Sequence, residues 1–238
     1  MLQKKTVAMV ALSFLTITHL FIKTNYALAE TSEGSIIEDD LNTQNSLPWG
    51  LPDWRYSQVL NIHESLINLL VGKVVIDKYE NRNGALSIFN NPPSPGKKNF
   101  ISFWGSKIEG CFVKLIFQSA SSSNPIDPET LIPIRLDMGV DDTIIKLRAK
   151  SSSNTTYWKE NYTYGVDENQ MTGTFYGVEQ NFFISSEQVN HLKSASTQEV
   201  KARITFRDGS SIIYPIGVET VKRWKNVYSF NPYCKDMN

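Results

Sequence analysis

The sequence predicts an α+β, β-rich protein, mainly antiparallel sheet with a few helices packed on one face or end. Three observations lead there. Short apolar runs rich in Val, Ile and aromatic residues recur along the chain, turn chemistry separates most of them, and the pairs Asn83-Gly84 and Asp208-Gly209 each sit between two such runs. Strands so spaced favour antiparallel pairing over crossover units with a helix between every strand.

The chain opens with an export signal. Lys4 and Lys5 supply a cationic start, Thr6 to Ile22 an apolar stretch, and Ala27-Leu28-Ala29 small residues in an A-x-A cleavage pattern. Residues 1–29 are therefore read as a signal peptide, with Glu30 beginning the mature protein. His19 and two threonines inside the run make it a poor permanent anchor, and no other stretch has the roughly 18 apolar residues of a membrane span. The expected location is secreted or periplasmic.

From Glu30 to Leu47 the chain is acidic and polar, which reads as a flexible lead-in to one globular domain over residues 48–238. Trp49 and Trp54, among prolines, are expected to plug onto that domain. Ser57 is placed to cap a helix whose buried face carries Val59, Leu60, Ile62, Leu66, Leu69 and Leu70, with the end of that run able instead to join the next strand. The pattern then turns to strands. Val74 to Tyr79 and Ala85 to Phe89 flank Asn83-Gly84 as a hairpin, and strands resume at Phe100 to Trp104 and Cys111 to Phe117.

Leu131 to Leu136 and Thr143 to Ala149 follow a loop rich in serine and proline, and Thr172 to Ile184 reads as a further strand. Ser185 or Ser186 caps a short helix containing Val189 and Leu192. Val200 to Phe206 and Ser211 to Ile216 form a hairpin about Asp208-Gly209. A closing helix carries Val218, Val221, Trp224 and Tyr228 on one side, with Lys222, Arg223 and Lys225 largely towards solvent.

Charge narrows the function. Losing Lys4, Lys5 and Lys23 from a chain with 24 basic and 24 acidic groups leaves a net charge of minus 3. A nucleic-acid binder would need a basic excess for its phosphate contacts, so none is expected as partner. No cofactor is expected either, since neither a Walker A loop nor GxGxxG occurs.

Catalytic motifs are equally scarce. The mature chain has two histidines, His63 and His191, outside any HExxH pattern, and no G-x-S-x-G elbow. Asp137, Asp141, Asp142, Asp167 and Glu168 match no calcium loop, so they read as turn residues and no metal site is assigned. The strongest ligand signal is aromatic: Tyr157, Trp158, Tyr162 and Tyr164 crowd a polar segment, a composition suited to stacking on a sugar or anchoring a protein. Cross-strand packing in a twisted hairpin is the competing role for the same rings. Asn154 and Asn161 begin glycosylation sequons.

The expected function is that of an exported, non-enzymatic binding or accessory domain with a protein or glycan partner. The alternative is an envelope hydrolase with a site assembled from dispersed Ser, Asp, Glu or His residues. Cys111 and Cys234, the only two cysteines, are expected to form a disulfide in an oxidising compartment.

Overall fold

Two sheets and two helices carry the fold in a computed structural model of the chain, which describes residues 34–42, 56–79, 98–121, 127–150, 155–164, 171–231 and 234. The expected signal peptide, the expected plug at Trp49 and Trp54, and the expected hairpin about Asn83-Gly84 with a strand at Ala85 to Phe89 lie outside the described residues.

A seven-stranded sheet runs in the order β1 (Gly34–Ile37), β2 (Val59–His63), β3 (Leu70–Tyr79), β4 (Lys98–Lys107), β5 (Gly110–Ser121), β9 (Met171–Phe182) and β8 (Thr155–Tyr164). A four-stranded sheet runs β11 (Ser211–Ile216), β10 (Val200–Phe206), β6 (Pro133–Val140) and β7 (Thr143–Arg148). All pairings between named strands are antiparallel except that of β1 with β2. The predicted class is the one observed.

The inner face of the four-stranded sheet packs on one face of the larger sheet. Leu136, Met138, Leu147, Ile204 and Phe206 meet Val75, Phe100, Leu115, Phe117 and Val178 in one buried cluster. Aromatic rings stitch the layers: Phe100 meets Tyr214 edge-on at 4.1 Å between centroids, and Phe117 meets Phe206 at 4.8 Å. Such pairs add about 0.5–1.5 kcal/mol each beyond the area they bury.

The helices lie on this same side. α1 (Ser186–Ser194) starts with a capping box, Ser185 accepting from the Gln188 backbone while the Gln188 side chain accepts from Ser185 N–H. α2 (Val218–Ser229) packs against β3 and β4 and buries Val221, Trp224, Val227 and Tyr228, with the Trp224 ring 5.2 Å from that of Trp104. Val218, expected on the buried side, is exposed because it opens the helix before the buried stripe begins.

Two larger expectations are corrected. Residues 34–42, within the presumed flexible lead-in, form β1 and a 3-10 turn, with Ile36 and Leu41 buried against the outer face of the seven-stranded sheet. The helix expected from Ser57 is instead β2, a turn and the start of β3. Val59, Leu60 and Ile62 are buried from a strand, and Asn68 takes a positive φ of 50°, which ends any helix and closes the turn.

Gly105 does not interrupt β4. A Cβ there would lie 2.4 Å from the Lys73 carbonyl oxygen, so the glycine lets β3 approach closely. The ladder therefore continues unbroken.

Cys111 is the second residue of β5, and Cys234 follows α2. Their Cα atoms are 4.9 Å apart, both side chains are buried, and the pair sits at disulfide distance. Ser186 Oγ donates to the Cys234 carbonyl at 2.5 Å, which ties the same point to α1.

Candidate functional site

The turn between β2 and β3 is braced by its own hydrogen bonds. The Glu64 carboxylate accepts the N–H groups of Leu66 at 2.8 Å and Ile67 at 2.9 Å, Glu64 N–H donates to the Leu69 carbonyl at 2.8 Å, and Asn68 N–H donates to the Glu64 carbonyl at 3.2 Å. Ser65 Oγ donates to Asp39 at 2.6 Å, fixing the turn to the 3-10 segment. Held by these bonds, the turn presents aliphatic side chains to solvent. Leu66 is 90% exposed and Ile67 70%, and Leu69 and Leu70 are exposed beside them.

Neighbouring turns extend the surface. Ile108, in the turn between β4 and β5, donates its N–H to the Val71 carbonyl at 2.9 Å, while Ile37 is in register with His63 at the end of β2. Both side chains are exposed. Six large aliphatic residues thus gather at one end of the seven-stranded sheet, which makes this end the candidate interaction surface. Acidic groups rim it: Glu38, Asp39, Asp40, Glu64 and Glu109, with Lys107 paired to Glu38 and Glu109.

A second surface of opposite character covers the outer face of the four-stranded sheet. Ile213, Arg203, Asp137 and Lys146 follow one another across four strands, and Lys201, Gly139 and Ile144 form the next row. Arg135 and Arg148 are paired in register beside them, so five basic residues share this face with one acid, Asp137. Asp137 accepts from Arg135 Nε at 3.0 Å. Among the described residues no carboxylate lies within ion-pair distance of Lys146, Lys201 or Arg203. The absent side chain of Gly139 helps open a groove of about 480 Å³, flanked by Ile144, 65% exposed, and Ile213, 58% exposed.

The aromatic segment occupies β8, an edge of the larger sheet. Tyr157 is in register with Val178, Trp158 with Gly177, Tyr162 with Gly173 and Tyr164 with Met171, so the four positions belong to a strand paired along its length with β9. Tyr157 is 40% exposed, and its hydroxyl donates to Glu129 at 3.0 Å. Glu129 also pairs with Arg207. Burial, together with the Glu129 carboxylate, pushes the Tyr157 phenol up. The side chains of Trp158, Tyr162 and Tyr164 lie outside the described set.

The chain matches no family model, no curated protein and no solved structure. Its surfaces are therefore the whole basis for a functional reading.

The titratable groups considered for catalysis are dispersed. His63 Nδ1 contacts the Asn68 carbonyl at 3.2 Å in the apolar turn, and His191 lies exposed on α1. Asp141 accepts Ser196 N–H at 3.3 Å, and Asp167 and Glu168 lie outside the described residues. No group of three His, Cys, Asp or Glu suited to a metal occurs among the described residues.

Neither surface is legible in the sequence alone. The apolar turn shows in the sequence as ESLINLL, whose leucine spacing predicts a buried helix. The basic face was visible only as alternation, Arg135/Asp137, Lys146/Arg148 and Lys201/Arg203, on strands brought together by pairings that the sequence does not state.

Proposed function

We propose that the chain is an exported binding domain whose partner is a protein, engaged through the apolar end of the seven-stranded sheet. The observation that carries this is the exposure of Leu66 and Ile67 on a turn whose backbone is internally hydrogen-bonded. A rigid turn holding aliphatic side chains in water loses little entropy on docking, so their burial goes largely into affinity. Export is supported by the signal pattern at Met1 to Ala29 and by the buried cysteine pair, which suits an oxidising compartment. No helix among the described residues is long and apolar enough to cross a membrane.

The test is comparative capture from the exported fraction with the wild-type chain and with Leu66→Asp/Ile67→Asp as bait. The reading requires at least one protein retained by the wild type and lost by the variant. Identical captures would contradict it. N-terminal sequencing of the bait, expected to begin at Glu30, tests export separately. A glycan-binding role for β8 is the second reading, favoured by the partial exposure of Tyr157. Binding on a glycan array that Tyr157→Ala abolishes would move the assignment there.

A further inference from the structure

The two surfaces are complementary in chemistry. One is an aliphatic tip, Leu66 and Ile67 foremost, rimmed by Glu38, Asp39, Asp40, Glu64 and Glu109. The other is a groove flanked by Ile144 and Ile213 and set among Arg135, Lys146, Lys201 and Arg203. We propose that the partner of the apolar tip is a second copy of this chain, which receives the tip in the basic groove of its four-stranded sheet. This rests on the reading of the tip as a protein-binding surface.

Charge selects this occupant over a lipid surface. An acidic rim is repelled by anionic headgroups, whereas cations around an apolar groove attract it and set its orientation. Lys146, Lys201 and Arg203 lack carboxylate partners within ion-pair distance among the described residues, so they are available for the incoming rim. The groove's volume of about 480 Å³ has room for the two foremost aliphatic side chains. Tip and groove belong to different sheets and share no residue, so the contact is head-to-tail. Each copy then keeps one free tip and one free groove, and association continues into chains unless the rotation closes a ring.

The experiment is sedimentation velocity on the full exported chain over a range of concentrations, at low and moderate salt. The wild type should increase in mass with concentration, with a dissociation constant on the order of 10–100 μM for a small interface, and rising salt should weaken the association. Leu66→Asp/Ile67→Asp, which spoils the tip, and Lys201→Glu/Arg203→Glu, which spoils the groove, should each remain monomeric. All four positions are exposed, and matching circular dichroism spectra will show that the variants fold. Mixed in equal amounts, the two variants retain one intact tip and one intact groove between them, so they should form a 1:1 dimer and nothing larger.

A wild type that stays monomeric throughout would overturn the inference, as would a mixture that forms no dimer or a single variant that still polymerises. Co-sedimentation of the wild type with phosphatidylethanolamine–phosphatidylglycerol vesicles, without self-association, would assign the tip to membrane instead. If self-association is absent but the tip variant still loses a captured protein, only the self-partner fails. If the variant changes neither result, the protein-binding reading of the tip fails as well.

Discussion

Asp77 accepts the backbone N–H of Gly217 at 3.1 Å, across 140 positions of sequence. Gly217 is the N-cap of α2 and makes no side-chain cap bond to the first turn, so the start of the helix is held instead through this N–H by Asp77 of β3. At the other end Ser106 of β4 donates to the Val227 carbonyl at 2.5 Å. Adjacent strands therefore hold both ends of the helix, which explains how a short helix is fixed in place beside the smaller sheet.

The position of Asp77 gives a pH-dependent prediction. Burial pushes its carboxyl above the ordinary value, outweighing the opposing hydrogen bonds from Gly217 and Lys78 N–H and from Thr220. The folded protein thus holds the proton more tightly than the unfolded chain. That contribution to stability is complete below the unfolded value of 3.8 and is lost as pH rises through the higher folded value. Asp77→Asn keeps an acceptor for the helix and removes the buried charge. Thermal unfolding should find it at least as stable as wild type at pH 7, with the advantage shrinking towards pH 3, while Asp77→Ala loses about 0.5–2 kcal/mol. Equal losses in both variants at pH 7 would show that the charge itself is needed.

Lys114 and Glu179 form an ion pair of 3.3 Å on the outer face of the larger sheet, with only 4% and 10% of their side chains exposed. Burial lowers the lysine's affinity for its proton, and Glu179 partly restores it. Removing one partner strands a buried charge. Lys114→Met or Glu179→Leu alone should cost about 3–5 kcal/mol in urea unfolding, and the double variant should recover most of that loss. Additive losses would show that the two charges are not coupled.

Cys111 and Cys234 are separated by 123 positions. Peptide mapping without reductant should recover them as one linked peptide pair, and reduction should remove roughly 4 to 5 kcal/mol, since a long closed loop restricts the unfolded chain. Two free thiols after rapid alkylation would contradict the linkage.

The sequence was most readable where local chemistry decides structure. Ser185 with Gln188 announces the start of α1, and Asp208-Gly209 the hairpin of β10 and β11, where Gly209 takes a φ of 83°. It misled at residues 57–70, where Leu60, Ile62, Leu66, Leu69 and Leu70 are spaced as on a helical face. Leu60 and Ile62 are buried by strand alternation, whereas Leu66 is almost fully exposed and Leu69 and Leu70 are only partly covered. A periodicity argument assumes that leucines seek the core, and it fails where leucines sit exposed on a turn. The basic groove was unreadable for another reason: its residues come from four strands, and their neighbourhood exists only once β10 pairs with β6.

That display makes a stability prediction. Because the two side chains are exposed, Leu66→Asp/Ile67→Asp should shift the unfolding free energy by less than about 0.5 kcal/mol. A loss of several kcal/mol would return these residues to the core and remove the basis for a binding tip.

The most direct test of the tip as a protein-binding surface is site-specific photocrosslinking in the producing cell. Leu66 is replaced by p-benzoylphenylalanine, with Lys225 on the exposed side of α2 replaced as control. Irradiation should yield discrete protein adducts from position 66, including a crosslinked pair of this chain's own copies, and none from position 225. No protein adduct from position 66, or the same adducts from both positions, would contradict the account.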